Sequence, residues 1–373
     1  MRSKLIAIAR RLLAEGFIPS LKYAALRAIW KLSFQTRQND ESAPKVTLIL
    51  PVYNVGEFLT DCLLSIRAQR WPNLEVIAVN DGSTDSSIEI LEAFAASTPF
   101  LRIITKPNGG LGAARNTGLD AIEATDYVMF ADSDDLLPLG AIQRFVRQAE
   151  ASGNPLVVGK TFCFYGARYF ERASSASLFL TDSESATVDE FPEVLGDVTA
   201  WNKLFSWAFW QQYGFRFPEG VAYEDMAIMA SAYLAAGKFD LVSAKSYFWR
   251  VRAEGQSLSQ RKTELKSLKD RLHAITLIDR YVRAAINKGL ISVDVHREYL
   301  RHMIALDFEL FAPELARADE EFFAAFKASA NVLLSEATGE DWASSNGKYR
   351  KVVWAAMHGS REQTLKVLSE VTA

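Results

Sequence analysis

Acidic side chains follow two apolar segments in the first third of the chain. Asp132 directly follows the run YVMFA, and Asp134 lies two positions later. Asp81 directly follows the run LEVIAVN. Carboxylates this close together repel one another unless a cation or hydrogen-bond donors balance them. Because carboxylate oxygens without His or Cys suit hard divalent ions, Asp132 and Asp134 predict a site for Mg²⁺ or Mn²⁺ that also takes oxygens from a phosphate-bearing substrate.

These acids also have a purely structural interpretation, in which they cap the following helix and complement its dipole. Both interpretations stay open for Asp135, whereas we favour a functional role for Asp132 and Asp134 at the end of a buried strand. All four histidines lie at or after His273. Any chemistry in the first two-thirds of the chain must therefore run without imidazole, which excludes a Ser-His hydrolase site from residues 45–260.

Further charged residues lie outside the two strand ends. Glu224 and Asp225 precede a segment with helical spacing, where an acid pair acts either as an N-terminal cap or as part of a site. Arg250 and Arg252 lie two positions apart, so they share one face of a strand and could clamp a diphosphate. The glycines 109, 110 and 112 do not complete a dinucleotide fingerprint, because its third glycine would fall at Arg115. We interpret them as a loop entering a helix that directs Arg115 toward a charged ligand or the Asp cluster.

The elements that must position these residues alternate along residues 46–160. Continuously apolar strands are typical of a parallel sheet that is covered on both faces. Strands separated by helices predict a doubly wound α/β layer, in which ligands bind outside the carboxyl ends of the strands. Residues 172–190 are rich in Ser and Thr and predict a mobile connection, and helical spacing extends from Glu264 to the end of the chain. The predicted strands are VTLILP (46–51), LEVIAVN (74–80), LRIIT (101–105) and YVMFAD (127–132).

Composition sets broad limits on the chain. Its 373 residues are 49% hydrophobic and 12% aromatic, which allows a large core and about two domains. A net charge of −3 is not typical of a protein built to coat nucleic acid. Cys62 and Cys163 are too few for a disulfide framework or a zinc cluster and indicate a reducing compartment. The sequence contains no run of 18 apolar residues, so it does not predict a membrane-spanning helix.

The first 40 residues differ from the rest in charge. They carry eight Lys or Arg residues against Glu15 and Asp40, and apolar residues recur at helical spacing. One interpretation is a basic amphipathic segment on an anionic membrane surface. The other is a pair of helices packed on the body of the protein with their charges in solvent. Both stay open.

Taken in order, these motifs resemble the family 2 glycosyltransferases of the GT-A fold. The resemblance covers roughly residues 45–260 and departs from the family at Asn80, where an acid is usual. It predicts a basic helical segment (1–43), a GT-A domain (44–262) and a helical C-terminal domain (263–373). The matching stretches are 51–54, 80–85, 108–118, 130–135, 201–205, Glu224 with Asp225, and 250–252 with Ser257.

The resemblance implies a role for each matching residue. Asp81 contacts the nucleobase, Asp132 faces the ribose, and Asp134, together with Asp132, holds the metal that bridges the donor diphosphate. Asp225 is the general base, and Glu224 orients it or stands in for it. The remaining donor contacts are Pro51, Tyr53, Asn54, Arg115, Lys203, Arg250 and Arg252.

The expected reaction moves a sugar from a nucleoside diphosphate, with UDP favoured, to a hydroxyl of a glycan or lipid-linked glycan. It inverts the anomeric centre, uses Mn²⁺ or Mg²⁺, and serves surface polysaccharide synthesis. The expected location is the cytoplasm, with peripheral contact to the inner membrane face and self-association left open. Two alternatives remain: a nucleotidyltransferase that makes nucleotide-sugars and a non-catalytic sugar-binding relic.

Overall fold

The computed structural model describes residues 42–166, 168–171, 177–252 and 262–372. The predicted basic segment 1–43 therefore lies outside the described residues except for its last two positions, and so does Ser257. The chain divides into two compact units. The first comprises the chain up to Ser185, Ala200–Gly220 and Lys238–Arg252, and the second comprises Ala186–Thr199, Val221–Gly237 and the chain after Arg252.

The first unit is built on one mixed sheet, which contains nine strands among the described residues. The order is β3-β2-β1-β4-β8-β5-β9-β7, with β6 beside β5. Strands β1 to β4 pair in parallel, whereas β8 runs antiparallel to both β4 and β5. The strands are β1 (Val46–Val52), β2 (Leu74–Asn80), β3 (Leu101–Thr105), β4 (Tyr127–Phe130), β5 (Leu156–Tyr165), β6 (Arg168–Glu171), β7 (Ser183–Ala186), β8 (Lys203–Ser206) and β9 (Phe239–Arg250).

Helices connect the parallel strands, as the alternating sequence pattern predicts. Every residue of β1 is buried, and its side chains Leu48 and Leu50 share a core cluster with Leu63 and Ile66 of the following helix. Continuous burial explains why the strand sequences are apolar throughout instead of alternating. The helices of this unit are α1 (Gly56–Arg67), α2 (Ser87–Ala95), α3 (Leu111–Asp120), α4 (Ala141–Ser152) and α5 (Trp207–Tyr213).

The carboxyl ends of β2 and β4 emerge on the same edge of the sheet. Both strands flank β1 in parallel, with Asn80 opposite Val52 and Phe130 opposite Ile49. Asp81 and Asp132 therefore follow strands that are separated by two strand spacings, or about 10 Å. The sheet brings to one edge two acids that are 51 positions apart in the sequence.

The second unit is helical, and its main helices belong to the C-terminal region. No helix of the described residues has the length and apolar character needed to cross a bilayer. A single π-helical turn, Met303–Asp307, follows α8. The helices of this unit are α6 (Met226–Ala236), α7 (Leu265–Asn287), α8 (Val293–His302), α9 (Glu320–Leu333), α10 (Gly339–Ser344), α11 (Arg350–His358) and α12 (Arg361–Thr372).

The prediction of a mobile connection over 172–190 is wrong for its described part. A short 3₁₀ helix, Ser177–Phe179, buries Leu178 and Phe179, and β7 adds a strand to the sheet. The backbone N–H of Ser185 donates to the buried carboxylate of Asp240 at 2.9 Å. The Ser- and Thr-rich composition gave no indication that Leu178 and Phe179 would be buried and hold this segment in place.

Candidate functional site

Asp81 organises the loop that leads into α3. Its Oδ1 accepts from the Lys106 ammonium at 2.7 Å and from the Gly109 N–H at 3.0 Å, and its Oδ2 accepts from the Gly110 N–H at 2.8 Å. The Asn108 side chain donates to the Asp81 carbonyl at 3.1 Å. Both carboxylate oxygens thus hold the loop 106–110, a role that the sequence did not reveal. The predicted contact of Asp81 with a nucleobase stays a prediction.

A second loop, at the end of β1, is fastened to the turn after β2. Pro51 is buried within β1, whereas the Tyr53 side chain is 50% exposed. Asn54 adopts a left-handed backbone (φ 49°), and its side-chain oxygen accepts from the Thr84 N–H at 2.8 Å. Asn80, the departure from the family pattern, accepts from the Ser83 N–H at 3.0 Å and so stabilises the turn. The exposed ring of Tyr53 is available to a planar ligand.

Arg115 pairs with Asp132 across the sheet edge. Its Nη2 lies 2.9 Å from Asp132 Oδ1; the Arg115 side chain is 1% exposed and that of Asp132 is 26% exposed. The Arg115 guanidinium also lies 5.1 Å from the ring of Phe217. Of the two directions that the sequence allowed for Arg115, the structure shows contact with the Asp cluster. Its predicted contact with the nucleotide stays a prediction.

Two neighbours in α3 support this geometry. Asn116 fixes Phe217 beneath Arg115, because its side chain donates to the Phe217 carbonyl at 2.8 Å and accepts from the Phe217 N–H at 3.0 Å. Gly118 lets α3 approach β1, since a Cβ there would lie 2.5 Å from Ile49 Cγ2. In the motif 115–118, Arg115 therefore pairs with Asp132, Asn116 binds the backbone of Phe217, and Gly118 allows close packing of α3 on β1.

Asp134 receives the two arginines at the end of β9. Arg252 binds its Oδ2 through Nε and Nη2, each at 2.7 Å, and Arg250 Nε donates to its backbone carbonyl at 2.6 Å. The Phe58 ring lies 4.9 Å from the Arg250 guanidinium and 5.1 Å from that of Arg252. Arg250 and Arg252 thus both contact Asp134, and their predicted contact with a diphosphate stays a prediction.

Asp135 connects the loop after β4, residues 131–136, to β9. The side chain is buried, and its Oδ1 accepts from the Arg250 N–H at 2.7 Å. Leu136 and Phe248 exchange two backbone hydrogen bonds, at 3.0 and 3.1 Å. Burial, with the charges of Asp134 and Asp132, raises the pKa of the Asp135 carboxyl well above its usual range. The Asp135 side chain thus binds the backbone of β9 and does not cap α4, so the capping interpretation is not supported.

Tyr247 is a residue of this site that the sequence analysis missed. Its hydroxyl accepts from the Asp132 N–H at 3.0 Å, and its ring stacks on Trp201 with centroids 4.3 Å apart. Burial and the nearby Asp135 and Asp132 raise the pKa of the Tyr247 hydroxyl well above its usual value. Only the pairing of β9 with β5 brings this tyrosine toward β4, so its sequence position carried no signal.

Lys106 and Phe217 were missed for different reasons. Lys106 directly follows β3 as Asp81 follows β2, so inspection of every strand end for cations as well as acids would have found it. Phe217 lies 101 positions from Asn116, and only tertiary structure joins them.

The donor set at the sheet edge fits a hard divalent cation. The carboxylates of Asp132 and Asp134 both reach solvent, at 26% and 17% exposure, whereas Asp135 is buried. Two carboxylates leave further coordination positions for phosphate oxygens and water, as Mg²⁺ and Mn²⁺ require. Among the described residues, no three His, Cys, Asp or Glu side chains form a metal-binding group. These acids alone therefore make an incomplete cage that a phosphate ligand would complete.

Lys203 differs from the other predicted donor contacts in its burial. It lies in β8 with 0% exposure, and its ammonium donates to the Asn202 side chain at 2.7 Å. Asn202 in turn donates to the Gly159 carbonyl at 3.1 Å. The observed contacts join β8 to β5, and a contact of Lys203 with the donor stays a prediction.

Glu224 and Asp225 belong to the second unit. Asp225 immediately precedes α6, and its carbonyl accepts from the Met229 N–H at 2.9 Å, while Glu224 is buried. The side chain of Asp225 does not cap the helix. The simple capping interpretation is therefore not supported for Asp225, and its role as a base stays a prediction.

Comparison with known proteins shows which family part of the chain resembles. Residues 47–211 match the family described as glycosyl transferase family 2. The chain is 32% identical over 220 residues to glycosyltransferase GlyA of Streptococcus pneumoniae, covering 56% of this chain and 31% of GlyA. It is 29% identical over 220 residues to the poly(ribitol-phosphate) beta-glucosyltransferase of Bacillus spizizenii, covering 58% of this chain and 33% of that protein. The chain thus spans about a third of the length of these two relatives.

A solved structure shows the same fold. Staphylococcus aureus TarS 1–349 in complex with UDP-GlcNAc aligns with a TM-score of 0.69 at 20% identity, covering 88% of this chain and 91% of that one. The fold prediction is confirmed: a mixed α/β sheet of the GT-A type with a helical C-terminal region. Over residues 47–211, the chain is thus similar to glycosyl transferase family 2.

Proposed function

We propose that this protein transfers a sugar from a UDP-sugar to a hydroxyl of a glycan or lipid-linked glycan in surface polysaccharide synthesis. The observation that carries the proposal is the group of charged residues at one edge of the sheet. Asp81 and Asp132 follow parallel strands there, Arg115 of α3 pairs with Asp132, and Arg250 and Arg252 at the end of β9 reach Asp134. The UDP-GlcNAc complex of TarS, which has the same fold, supports a UDP-sugar donor.

The described residues have separate roles in the proposed donor site. Tyr53 offers an exposed ring to the base, with Pro51, Asn54 and Asp81 around it. Asp132 faces the ribose, and Arg115 sets its orientation through the 2.9 Å pair. Arg250 and Arg252, released in part from Asp134, contribute positive charge toward the diphosphate, and Lys203 supports the site from β8.

Asp134, with Asp132, would hold Mn²⁺ or Mg²⁺ beside the diphosphate. A divalent ion bound there supplies positive charge against the charge that builds on the leaving group. Asp134 must exchange part of its contact with Arg252 for this role, and Arg252 then lies next to the diphosphate. In this proposal, Arg250, Arg252 and Asp134 change their contacts together when the donor binds.

In the proposed reaction, Asp225 takes the proton from the acceptor hydroxyl, and Glu224 orients Asp225. A bond forms from the acceptor oxygen to the anomeric carbon as the bond from that carbon to the diphosphate oxygen breaks. UDP leaves with the electron pair, and the proton rests on Asp225. Because no second carboxylate is assigned as a nucleophile, one displacement inverts the anomeric centre.

The test is the identity of the released product. The full chain is incubated with Mn²⁺ and UDP-GlcNAc, UDP-glucose or UDP-galactose, with and without a polysaccharide fraction, and UDP and diphosphate are both measured. We expect UDP release that stops with EDTA and returns with added Mn²⁺. Release of diphosphate from UTP and a sugar 1-phosphate would instead identify a nucleotidyltransferase, and binding of UDP-sugars without any release would identify a relic.

The proposal extends to the parts of the chain around the site. We retain the boundaries 1–43, 44–262 and 263–373 as the proposed domains, and a cytoplasmic location with peripheral contact to the inner membrane face through the basic segment. Sedimentation with anionic liposomes tests the membrane contact. Loss of binding on deletion of residues 1–40 would support it, and unchanged binding would contradict it.

A further inference from the structure

The residue before the acid pair has an unusual backbone conformation. Tyr223 has φ +60°, a left-handed conformation that bulky side chains rarely adopt. Its carbonyl accepts from the Met226 N–H at 3.3 Å, so this conformation sets the tight turn that carries Glu224 and Asp225 into α6. A strained residue of this kind persists only where its surroundings hold it in place.

Helix α7 supplies the contacts that hold this turn. The Arg271 guanidinium lies 4.9 Å from the centroid of the Tyr223 ring, and the Tyr223 hydroxyl lies 3.4 Å from the Ser267 hydroxyl. One residue earlier, the Ala222 N–H donates to Asp270 Oδ2 at 2.9 Å. Two consecutive positions of the turn, Ala222 and Tyr223, are therefore held by three residues of α7.

Arg271 is itself fixed by the π-helical turn. Its Nε donates to Asp307 Oδ1 at 2.9 Å, its Nη2 contacts the same oxygen, and both side chains are largely buried. The wider π turn, Met303–Asp307, ends at Asp307. Such turns are rare and frequently occur at functional sites. The chain of contacts thus runs from Asp307 to Arg271 to Tyr223.

We propose that α7 of the C-terminal region is a positioning element for the acid pair, with Arg271 as its main positioning residue. The inference rests on the proposed function, in which Asp225 acts as the base. In this role the helical region supports catalysis. The Arg271 guanidinium contacts the Tyr223 ring and so keeps Glu224 and Asp225 in the orientation that the left-handed turn gives them. Arg271 acts through Tyr223 and does not touch the substrate.

Two substitutions at Tyr223 separate positioning from folding. Tyr223→Leu removes the ring that Arg271 contacts but leaves the buried Arg271–Asp307 pair intact, whereas Tyr223→Phe keeps the ring and loses only the hydroxyl. Arg271→Met removes the guanidinium that contacts the Tyr223 ring, a contact called the brace below. The matched control is Arg301→Met, because Arg301 pairs with the buried Asp341 at 3.0 Å in the same unit without contacting the turn.

The first readout is amide hydrogen exchange in the full chain without ligand. We expect Tyr223→Leu and Arg271→Met to speed exchange at Ala222 and Met226 by roughly tenfold, because loss of the brace lets the turn relax. Arg301→Met should leave exchange at these two amides as in the wild type, and Tyr223→Phe, which loses only the 3.4 Å hydroxyl contact with Ser267, should speed it far less than Tyr223→Leu. Equal acceleration by Arg301→Met, or none in Tyr223→Leu, would overturn the proposal.

The second readout compares turnover with UDP affinity. We expect Tyr223→Leu and Arg271→Met to lower kcat for UDP release roughly 10-fold to 100-fold, with the Kd for UDP and Mn²⁺ unchanged, since misplacement of a reacting group acts on the chemical step. A lower kcat together with weaker UDP binding would indicate general structural damage and overturn the positioning role. If Asp225→Asn keeps full turnover while the exchange results hold, the base assignment fails but the brace itself stands.

Discussion

The two groups of acids in this protein are held in place by different means. In the first unit, Asp132 and Asp134 each face a cation of their own unit, at 2.9 and 2.7 Å, and both acids follow strand β4. In the second unit, Glu224 and Asp225 follow a left-handed Tyr223, and helix α7 holds this turn from a different part of the sequence. The sheet-edge acids depend on secondary structure and ion pairing, whereas the acid pair depends on a tertiary brace.

This difference matters because the two groups are proposed to do different chemistry. Acids that bind a metal and a nucleotide tolerate a paired ground state, since arginine can move from carboxylate to diphosphate as the ligand arrives. A general base must stay ionised and aimed at one proton, so its orientation needs rigid support. Experiments that perturb each group separately will test whether this division is real.

The largest effect is expected at the proposed base. Asp225→Asn keeps the size and turn geometry of the side chain but cannot accept the acceptor proton, so kcat should fall by about 10²-fold to 10⁴-fold. UDP affinity should not change, because the donor residues belong to the first unit. UDP release under saturating donor measures kcat, and Asp120→Asn in the exposed pair with Arg216 is the control. Full residual turnover would remove Asp225 from the mechanism.

A smaller but substantial effect is expected from unpairing Arg115. Asp132→Asn removes the carboxylate charge opposite a guanidinium that is almost wholly buried. Loss of one partner from a buried ion pair typically costs about 3–5 kcal/mol in the free energy of unfolding, and urea unfolding measures the change. Arg115→Met should cost less, because the partly exposed Asp132 carboxylate can be hydrated instead.

An exposed pair serves as the control for this asymmetry. Arg216→Ala breaks the exposed pair with Asp120 and should change the free energy of unfolding by only about 0–1 kcal/mol. Equal losses from Asp132→Asn and Arg216→Ala would show that burial of Arg115 does not govern the stability of the sheet edge.

The smallest effect is expected from single hydroxyl groups, one in each unit. Tyr247→Phe keeps the stacking on Trp201 but leaves the Asp132 N–H without its acceptor, at a cost of about 1–2 kcal/mol. Tyr233→Phe removes a comparable buried hydroxyl that donates to the Asp197 carbonyl in the second unit. Both should lower stability similarly, and only Tyr247→Phe should weaken UDP binding in calorimetric titration. Weaker UDP binding in Tyr233→Phe as well would mean that the two units do not act separately.

Much of the first unit could be predicted because its signals are local. Apolar runs marked β1 to β4 to within a few residues, and the parallel arrangement followed from their continuous burial. The rule that ligands bind at the carboxyl ends of such strands then pointed to Asp81, Asp132 and Asp134. The motif order also suggested the family that residues 47–211 match.

The unpredicted features depend on contacts between distant positions. Asp81 holds the loop 106–110, Tyr247 supports Asp132 from 115 positions away, and the Asn202 side chain donates to the Gly159 carbonyl of a neighbouring strand. The segment after residue 176 was expected to be mobile, yet two buried apolar side chains and an added strand order it. Composition and spacing carry no information about which distant backbone group a side chain will meet.

The sequence by itself determined the residue types, the strand ends that carry them and therefore the class of chemistry, because periodicity and turn residues act over a few positions. Tertiary structure decided which charges are paired, which are buried and which are braced. These outcomes depend on strand order, on the insertion of antiparallel β8 and on the packing of α7 against Tyr223. Burial and pairing arise only when separate elements meet, and in this protein they distinguish the proposed donor site from the proposed base.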